Sequence, residues 1–290
     1  MRPNASSNNG LSLNSQEHQS RLVFDRISRY IGQLAKSSTT NNVHRFRTNS
    51  RRVEALMGDL SPETRNKKKL LKLLSKLRKK AGKLRDLDVQ IAFLKELKIP
   101  DRQNHRAQLL EWLSYNHARR SKKLARAFAP ETVRELRKRL RRAQSEMKFD
   151  GIRPLELAFG HLPKPGQLPI SEKVLHACRI AAKHARYLAE LADSQEAKSF
   201  IEELKRAQDV VGEWHDILKL NEIAEQRFGS VNDSALVAAL QNIGRARFRR
   251  AVNAMLAAIS AVHKVQQIAS GPQSVRKTPS SGDAEAAAVA

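Results

Sequence analysis

Two short segments of the sequence place one histidine and several basic residues on a single side of an α-helix. The two sets are His44, Arg47, Arg51 and Arg52, and His176, Arg179, Lys183 and Arg186. At about 100° per residue, each set forms one continuous face, with Arg52 at the edge of the first and Tyr187 joining the second. Arginine donates paired, charge-assisted hydrogen bonds to phosphate oxygens, lysine adds a point charge, and histidine adds a further donor. These faces therefore predict the binding of a phosphate-bearing anion.

The two segments belong to a longer internal repeat. His44 recurs as His176 at an offset of 132 residues, and a second motif recurs downstream at an offset of 130 residues. The second motif consists of Gly82, Arg85 and Asp86 in the first copy and of Gly212, His215 and Asp216 in the second. Two motifs in the same order at nearly equal offsets indicate a duplicated unit. Like charges at helical spacing destabilise a helix, so a chain that carries this arrangement twice is expected to meet an external anion there.

A third basic face lies in the first copy, on the segment that leads into its second motif. Its lysines fall within about 80° of one another on a helix, opposite a leucine face. They are Lys69, Lys72, Lys76, Lys80 and Lys83, of which the last three are predicted to contact the anion. Acidic residues replace most of these lysines in the second copy, so the first half is expected to be the more cationic. Other basic runs, such as residues 134–142, are interpreted as solvated helix faces.

The overall charge of the chain agrees with an anionic partner. Its 290 residues include 54 Lys and Arg against 29 Asp and Glu, a formal charge of +25. Such a field attracts nucleic acids, acidic membrane surfaces and condensed phosphates. Aromatic residues make up only 5% of the chain and are nearly absent from the basic runs, whereas proteins that hold single-stranded nucleic acid stack bases on aromatic rings. Repeated charge without groups that read bases favours a condensed phosphate chain.

Two alternatives stay open on the residues alone. The first is an RNA- or DNA-binding helical protein that uses the same basic faces. The second is a scaffold whose basic surface binds acidic proteins or anionic lipid. All three ligands would show salt-dependent attraction, so charge by itself does not separate them.

The remainder of the sequence predicts an all-α fold in two halves. Long Leu-, Ala-, Lys-, Arg- and Glu-rich stretches contain little Gly or Pro, which favours helices throughout. Helices are predicted at about 17–36, 41–58, 62–97, 103–128, 131–147, 171–193, 196–228 and 232–268. Residues 150–170, rich in Pro and Gly, are predicted to connect a first half (about 17–149) to a second half (about 171–268). Residues 1–15 and 270–290 are predicted to be disordered segments flanking one domain at 16–269.

The sequence also favours a soluble, cytoplasmic protein. Cys178 is the only cysteine, so an internal disulfide is excluded. The first twenty residues contain no apolar run of the kind found in secretory signals. The longest apolar-leaning run, Ala251 to Val262, is too short to span a bilayer and is predicted to be a buried helix.

Enzymatic function is not expected. His215 and Asp216 resemble half of a metal site of a phosphohydrolase, but the repeat places Arg85 at the position of His215, and arginine is not expected to bind a metal. The sequence lacks a phosphate-binding loop of the Gly-x-x-x-x-Gly-Lys type. We therefore predict no catalytic residues, no metal and no cofactor, and we interpret His184 and His263 as surface or packing residues.

On the paired motifs around His44 and Asp86, and around His176 and Asp216, the chain resembles a CHAD domain, a helical domain with recurring histidines. The resemblance covers about residues 20–268. It implies two pseudo-symmetric four-helix bundles that form one domain around a basic central cavity, and it implies binding of inorganic polyphosphate without catalysis. We therefore expect an association with polyphosphate granules. Carried over by position, the ligand-facing residues are His44, Arg47, Arg51, Arg52, His176, Arg179, Lys183 and Arg186.

Two positions depart from the pattern of that family. Glu54 stands where the family often has a further base, and His215 stands where Arg85 supplies an arginine in the first half. Both changes reduce the positive charge of the predicted faces.

Overall fold

Nine α-helices make up the secondary structure of the part of the chain that the computed structural model describes, residues 6–164 and 171–270. They are α1 (Ser6–Lys36), α2 (Thr40–Leu60), α3 (Arg65–Glu96), α4 (His105–Ala127), α5 (Pro130–Ser145), α6 (Pro154–Gly160), α7 (Glu172–Ala189), α8 (Gln195–Phe228) and α9 (Ala235–Ser270). The all-α prediction is confirmed.

Side-chain hydroxyls mark where several helices begin. Thr39, Thr64, Ser171 and Ser194 each accept a hydrogen bond from the backbone N–H three residues later, which satisfies one of the free donors of the first turn. The predicted start of the third helix at residue 62 is wrong, because Thr64 caps the helix and α3 begins at Arg65. The proline start predicted for α5 is confirmed, since that helix begins at Pro130.

The ends of the chain and the connector differ in part from the prediction. Helix α1 begins at Ser6, within the segment 1–15 that was predicted to be disordered. The connector contains α6, whose first residue, Pro154, occupies a position where a missing N–H costs no hydrogen bond. Residues 1–5, 165–170 and 271–290 lie outside the described part of the chain, so the predicted disorder of the tail stays a prediction.

The two halves meet through the helices that carry the repeated motifs. In the first half, α2 and α5 each pack on both α1 and α3, and α4 packs on α3. In the second half, α7 packs on α6 and α8, and α8 packs on α9. Across the boundary α2 contacts α7, and α3 contacts α8. The His44 helix and the His176 helix are therefore neighbours, whereas a pseudo-symmetric pair of four-helix bundles stays a prediction.

Apolar packing is continuous across this boundary. One large buried cluster includes Phe46 and Leu56 of α2, Leu188 of α7 and Trp214 of α8, and a smaller cluster fills the region where α3, α4, α8 and α9 approach. Along residues 6–164 and 171–270, no helix combines the length and the hydropathy needed to cross a membrane. The apolar core therefore holds the two basic helices side by side.

A buried lysine completes the C-terminal end of α2. The side chain of Lys67 is almost fully buried, and its Nζ donates to the carbonyl oxygens of Ser61 at 2.9 Å and Gly58 at 3.4 Å. The same Nζ lies 2.7 Å from a carboxylate oxygen of Glu63. The last carbonyls of a helix have no partner within the helix, so Lys67 stabilises this end.

Replacing Lys67 by Met should lower the free energy of unfolding by about 1–3 kcal/mol, because two carbonyl oxygens lose their charged donor. Urea denaturation of the full chain measures this change. The matched control is Lys68→Met, which alters an exposed neighbour and should change stability by less than about 0.5 kcal/mol. Equal effects of the two substitutions would contradict the structural role of Lys67.

Candidate anion-binding site

Four basic side chains from α2 and α7 come together where these helices touch. We call Arg47, Arg51, Arg179 and Lys183 the central cluster. The charges that act most strongly on Lys183 are those of Arg179, Arg51 and Arg47, and Arg51 in turn is influenced by Arg47 and Arg179. The two faces recognised in the sequence therefore form one cationic region and not two separate ones.

Both repeated histidines lie beside this cluster. Partial burial, followed by the charges of Arg85, Arg47 and Lys183, lowers the pKa of His44. Partial burial, followed by His215 and Arg179, lowers the pKa of His176, whose ring stacks on that of His215 with centroids 5.1 Å apart. Lys183 also acts on both histidines. The two imidazoles thus favour the neutral form, which still offers one N–H donor each.

The repeated glycines bring the arginines close to the neighbouring helices. A Cβ atom on Gly82 of α3 would lie 3.7 Å from Arg47 Cζ, and a Cβ atom on Gly212 of α8 would lie 3.8 Å from Arg179 Nη2. Arg47 Nη1 donates to the carbonyl oxygen of Gly82 at 3.4 Å and to Asp86 Oδ1 at 3.2 Å. The second motif therefore positions Arg47 in the first half, and in the second half its glycine lets Arg179 approach α8 closely.

Acidic side chains surround the central cluster without neutralising its middle. Glu190 accepts two hydrogen bonds from Arg52, at 2.6 and 3.0 Å, and Glu54 accepts one from Arg78 at 2.9 Å. Along the described parts of the chain, Arg51 and Lys183 have no acidic partner within hydrogen-bonding distance. Arg47, Arg52 and Arg78 thus have acidic partners, whereas Arg51 and Lys183 do not.

Burial and neighbouring charge both lower the pKa values of the inner groups. Burial, followed by the charges of Arg179, Arg51 and Arg47, lowers the pKa of Lys183 to about 6. Burial together with Arg47 lowers the pKa of Arg51 to about 10. Arg179 and Arg186 each have a buried Nε that lacks a hydrogen-bond partner within residues 6–164 and 171–270. An anion placed here would supply both the missing charge and the missing acceptors.

Tyr187 and Arg52 have a different environment from the rest of the predicted site. The tyrosine is buried, and its ring contacts two guanidinium groups, with Arg52 Cζ 5.3 Å and Arg186 Cζ 5.1 Å from the ring centroid. Cation–π contacts of this kind fix the orientation of a guanidinium. Tyr187 therefore positions Arg52 and Arg186 at the edge of the cluster, and Arg52 already has a carboxylate partner.

The structure does not bring the predicted lysine face of α3 into the cluster. Lys76 and Lys83 are exposed and Lys80 is half-buried. The side of α3 that meets the cluster carries Arg78 and Gly82, and the three lysines lie about 100° or more around the helix from Gly82. Arg78 was not among the predicted residues, although its spacing of four residues before Gly82 places it on the same side of the helix.

A second polar cluster was also missed. Asp59 at the end of α2 lies between two histidines, with Oδ1 3.1 Å from His161 Nε2 and Oδ2 2.5 Å from His184 Nε2. His184 was expected to be a surface or packing residue, and His161 was not singled out. We call Asp59, His161 and His184 the Asp59 triad.

Comparisons with known proteins agree with this architecture. A family model described as the CHAD domain matches residues 20–225. The crystal structure of the CHAD domain from the plant Ricinus communis aligns with a TM-score of 0.59 and 17% identity, covering 87% of this chain and 91% of that chain. PptA from Streptomyces chartreusis aligns with a TM-score of 0.55 and 15% identity, covering 88% and 99%. At these identities the likeness to the two structures concerns the fold alone. No curated protein matches the sequence.

The acidity of Lys183 predicts how stability depends on pH. Its pKa is about 6 in the folded chain and 10.5 for an ordinary lysine. The unfolded state therefore binds more protons between these values, and the free energy of unfolding should rise with pH across that window. Substituting Lys183→Met should remove up to about 1.4 kcal/mol per pH unit of this slope.

Urea denaturation at several pH values between 6.5 and 9.5, in buffers without phosphate or sulfate, measures the slope. The exposed Lys173 on the same helix gives the control substitution Lys173→Met, which should keep the wild-type slope. Identical slopes for wild type and Lys183→Met would show that this amine is not held in its neutral form.

Proposed function

The chain belongs to the CHAD domain family, and from this membership together with the central cluster we propose that it binds inorganic polyphosphate and catalyses no reaction. The observation that carries the proposal is the unneutralised centre of the cluster, where Arg51 and Lys183 lack acidic partners among the described residues. Holding a protonated Lys183 beside Arg51 is costly in the absence of a ligand, and a polyanion offsets that cost directly. Polyphosphate is the ligand that the family resemblance implied.

The length of the basic faces favours a chain of phosphates over a single phosphate. At 1.5 Å per residue, His44 to Arg51 extends over about 10 Å of α2, and His176 to Arg186 extends over about 15 Å of α7. Guanidinium groups donate in pairs to phosphate oxygens, and successive turns of each helix supply the next donor. A linear anion can therefore contact several cations of both helices at once.

The surroundings of the cluster disfavour the nucleic-acid alternative. The ring of Tyr187 is buried, contacts Arg52 and Arg186 and cannot stack on a base. Trp214 is also buried, and within the described ranges Tyr115 is the one large aromatic side chain that stands exposed. Sequence-tolerant binding of single strands depends on such exposed rings. The site thus offers charge without base recognition.

For the cellular setting, we extend the proposal to a cytoplasmic protein that associates with polyphosphate granules. A net charge of +25 provides long-range attraction to a polyanionic granule, and the central cluster provides the specific contact. Incubation with polyphosphate should release no orthophosphate, because the proposed role is binding.

A fourfold variant tests the site. Changing Arg47, Arg51, Arg179 and Lys183 together to Ala should weaken binding of long-chain polyphosphate by at least about 100-fold, because charge-assisted hydrogen bonds contribute about 1.5–3 kcal/mol each. Isothermal titration calorimetry at physiological salt measures the affinity, and circular dichroism checks the helical content.

The matched control changes Arg134, Lys138, Arg141 and Arg142 of α5 to Ala, which removes the same number of basic side chains. Its affinity should fall less than tenfold. Equal losses in the two variants would show that net charge suffices and that no localised site exists. Competition by mixed-sequence RNA or by anionic lipid vesicles that matches polyphosphate would favour the corresponding alternative.

Binding should also be accompanied by proton uptake. With its pKa near 6, Lys183 is mostly neutral at pH 7.5 before the ligand binds. A neighbouring polyanion raises that pKa, so about one proton should be taken up and affinity should increase as the pH falls from 8 to 6. Calorimetry in buffers of different ionisation enthalpy gives the proton count. Lys183→Met should take up about one proton fewer than wild type, and Lys173→Met should not differ; no difference between the two variants would contradict this assignment.

A further inference from the structure

The Asp59 triad joins three separate segments of the chain. Asp59 lies in the last turn of α2, His161 is the residue that ends α6, and His184 lies in α7. His184 follows Lys183 directly, but successive residues point about 100° apart on a helix, so the triad does not belong to the central cluster. No part of the proposed polyphosphate site accounts for this arrangement.

The geometry of the triad is convergent. Both histidines direct Nε2 at the same carboxylate, each toward a different oxygen, at 3.1 Å for His161 and 2.5 Å for His184. The two imidazole rings lie with centroids 4.2 Å apart and planes inclined by 39°. One nitrogen from each ring and one carboxylate oxygen all lie within 4.8 Å of one another. The three potential ligand atoms are therefore close enough together to share one ion after small side-chain rotations.

The triad is only partly accessible to solvent. The side chain of Asp59 is 18% exposed, that of His184 is 31% exposed and that of His161 is 33% exposed. The ring of His184 lies close to Gly58, where an added Cβ atom would be 3.8 Å from its Cε1 atom. The carboxylate is thus largely covered, while the histidine side leaves an entry route from solvent.

We propose that Asp59, His161 and His184 form a binding site for one divalent transition-metal ion of the zinc class. Two imidazole nitrogens and one carboxylate are a donor set that suits Zn²⁺, Co²⁺ and Ni²⁺ and does not suit Mg²⁺, which prefers oxygen ligands in an octahedral arrangement. Zinc lies about 2.0–2.2 Å from such ligands. The Asp59 carboxylate and the His184 ring must rotate slightly apart to admit an ion between them. Such rotation brings all three ligand atoms to zinc-binding distance.

A bound ion would connect the two halves of the protein. Asp59 belongs to the first half, His161 to the connector and His184 to the second half, so coordination would tie all three segments to one point. Three protein ligands leave at least one coordination position for water, as in other open zinc sites. None of the three proposed ligands belongs to the central cluster, so metal binding does not depend on polyphosphate binding.

Titration of the full chain, prepared without a polyhistidine tag, tests the site. Zn²⁺ should bind with a stoichiometry of one in competition with a chromophoric chelator, and Mg²⁺ should not compete. Co²⁺ should give visible absorption bands typical of a four- or five-coordinate site with nitrogen and oxygen ligands. Zn²⁺ should also raise the midpoint of thermal unfolding, because an ion that binds the folded state alone stabilises it.

Single substitutions identify the ligands. Asp59→Asn, His161→Gln and His184→Gln should each weaken Zn²⁺ binding by more than about 100-fold, since even groups outside the coordination sphere change affinity by 10–100-fold. The control His18→Gln removes an exposed histidine of α1 and should leave binding unchanged. Polyphosphate affinity should stay within threefold of wild type in His161→Gln, which separates this proposal from the proposed function.

The proposal is overturned if wild-type protein binds no Zn²⁺ and gives no Co²⁺ bands, because the triad is then a hydrogen-bonded contact alone. It is equally overturned if Zn²⁺ binds the three variants as tightly as wild type, because the ion then lies elsewhere. Thermal unfolding without metal verifies that each variant is folded, and the Co²⁺ spectrum of the wild type decides the matter even if one variant fails to fold.

Discussion

The contact between α2 and α7 forces positive charges together, and most of the structure around it can be understood as a response to that constraint. Arg47, Arg51 and Arg179 disfavour a further positive charge, and burial together with their charges lowers the pKa of Lys183. The opposite sides of the same helices provide the compensating energy: Val43, Phe46 and Leu56 of α2 are fully buried, as are Ala182, Ala185 and Leu188 of α7. Apolar burial of this extent contributes about 1.5–3 kcal/mol per large side chain and can hold two cationic faces in contact.

Acidic residues around the contact between α2 and α7 limit the repulsion among its basic side chains. Glu190 pairs with Arg52, Glu54 pairs with Arg78, and Asp86 pairs with Arg47, so the arginines that border the contact have partners. The inner cations do not, and this difference localises the excess charge. Glu54, which departs from the family pattern in the sequence, thereby acquires a role: its carboxylate accepts from Arg78 on α3. Glu54 thus lowers the positive charge of the α2 face and at the same time holds Arg78 of α3 beside that face.

Much of this architecture could be predicted from the residues because it depends on helical periodicity. The faces around His44 and His176 follow from angular positions on isolated helices, and the duplication predicted that the two would be related. Lys67 and His161 could not be found in this way, because their partners lie on other helices or turns. Helix α6 was missed since a segment dense in Pro and Gly predicts a connector, although Pro154 is well placed to begin a helix. The lysine face of α3 was correctly placed on one side of its helix, but periodicity alone does not tell which side meets the neighbour.

The sharing of the central cluster between the two copies of the repeat also bears on how such a protein could arise. Each copy contributes two of its four cations, Arg47 and Arg51 from one and Arg179 and Lys183 from the other. A chain with one copy carries only half of these groups and could assemble all four only as a homodimer. With both copies in one chain, the pairing is independent of protein concentration and the copies can differ, as Arg85 in one and His215 in the other do.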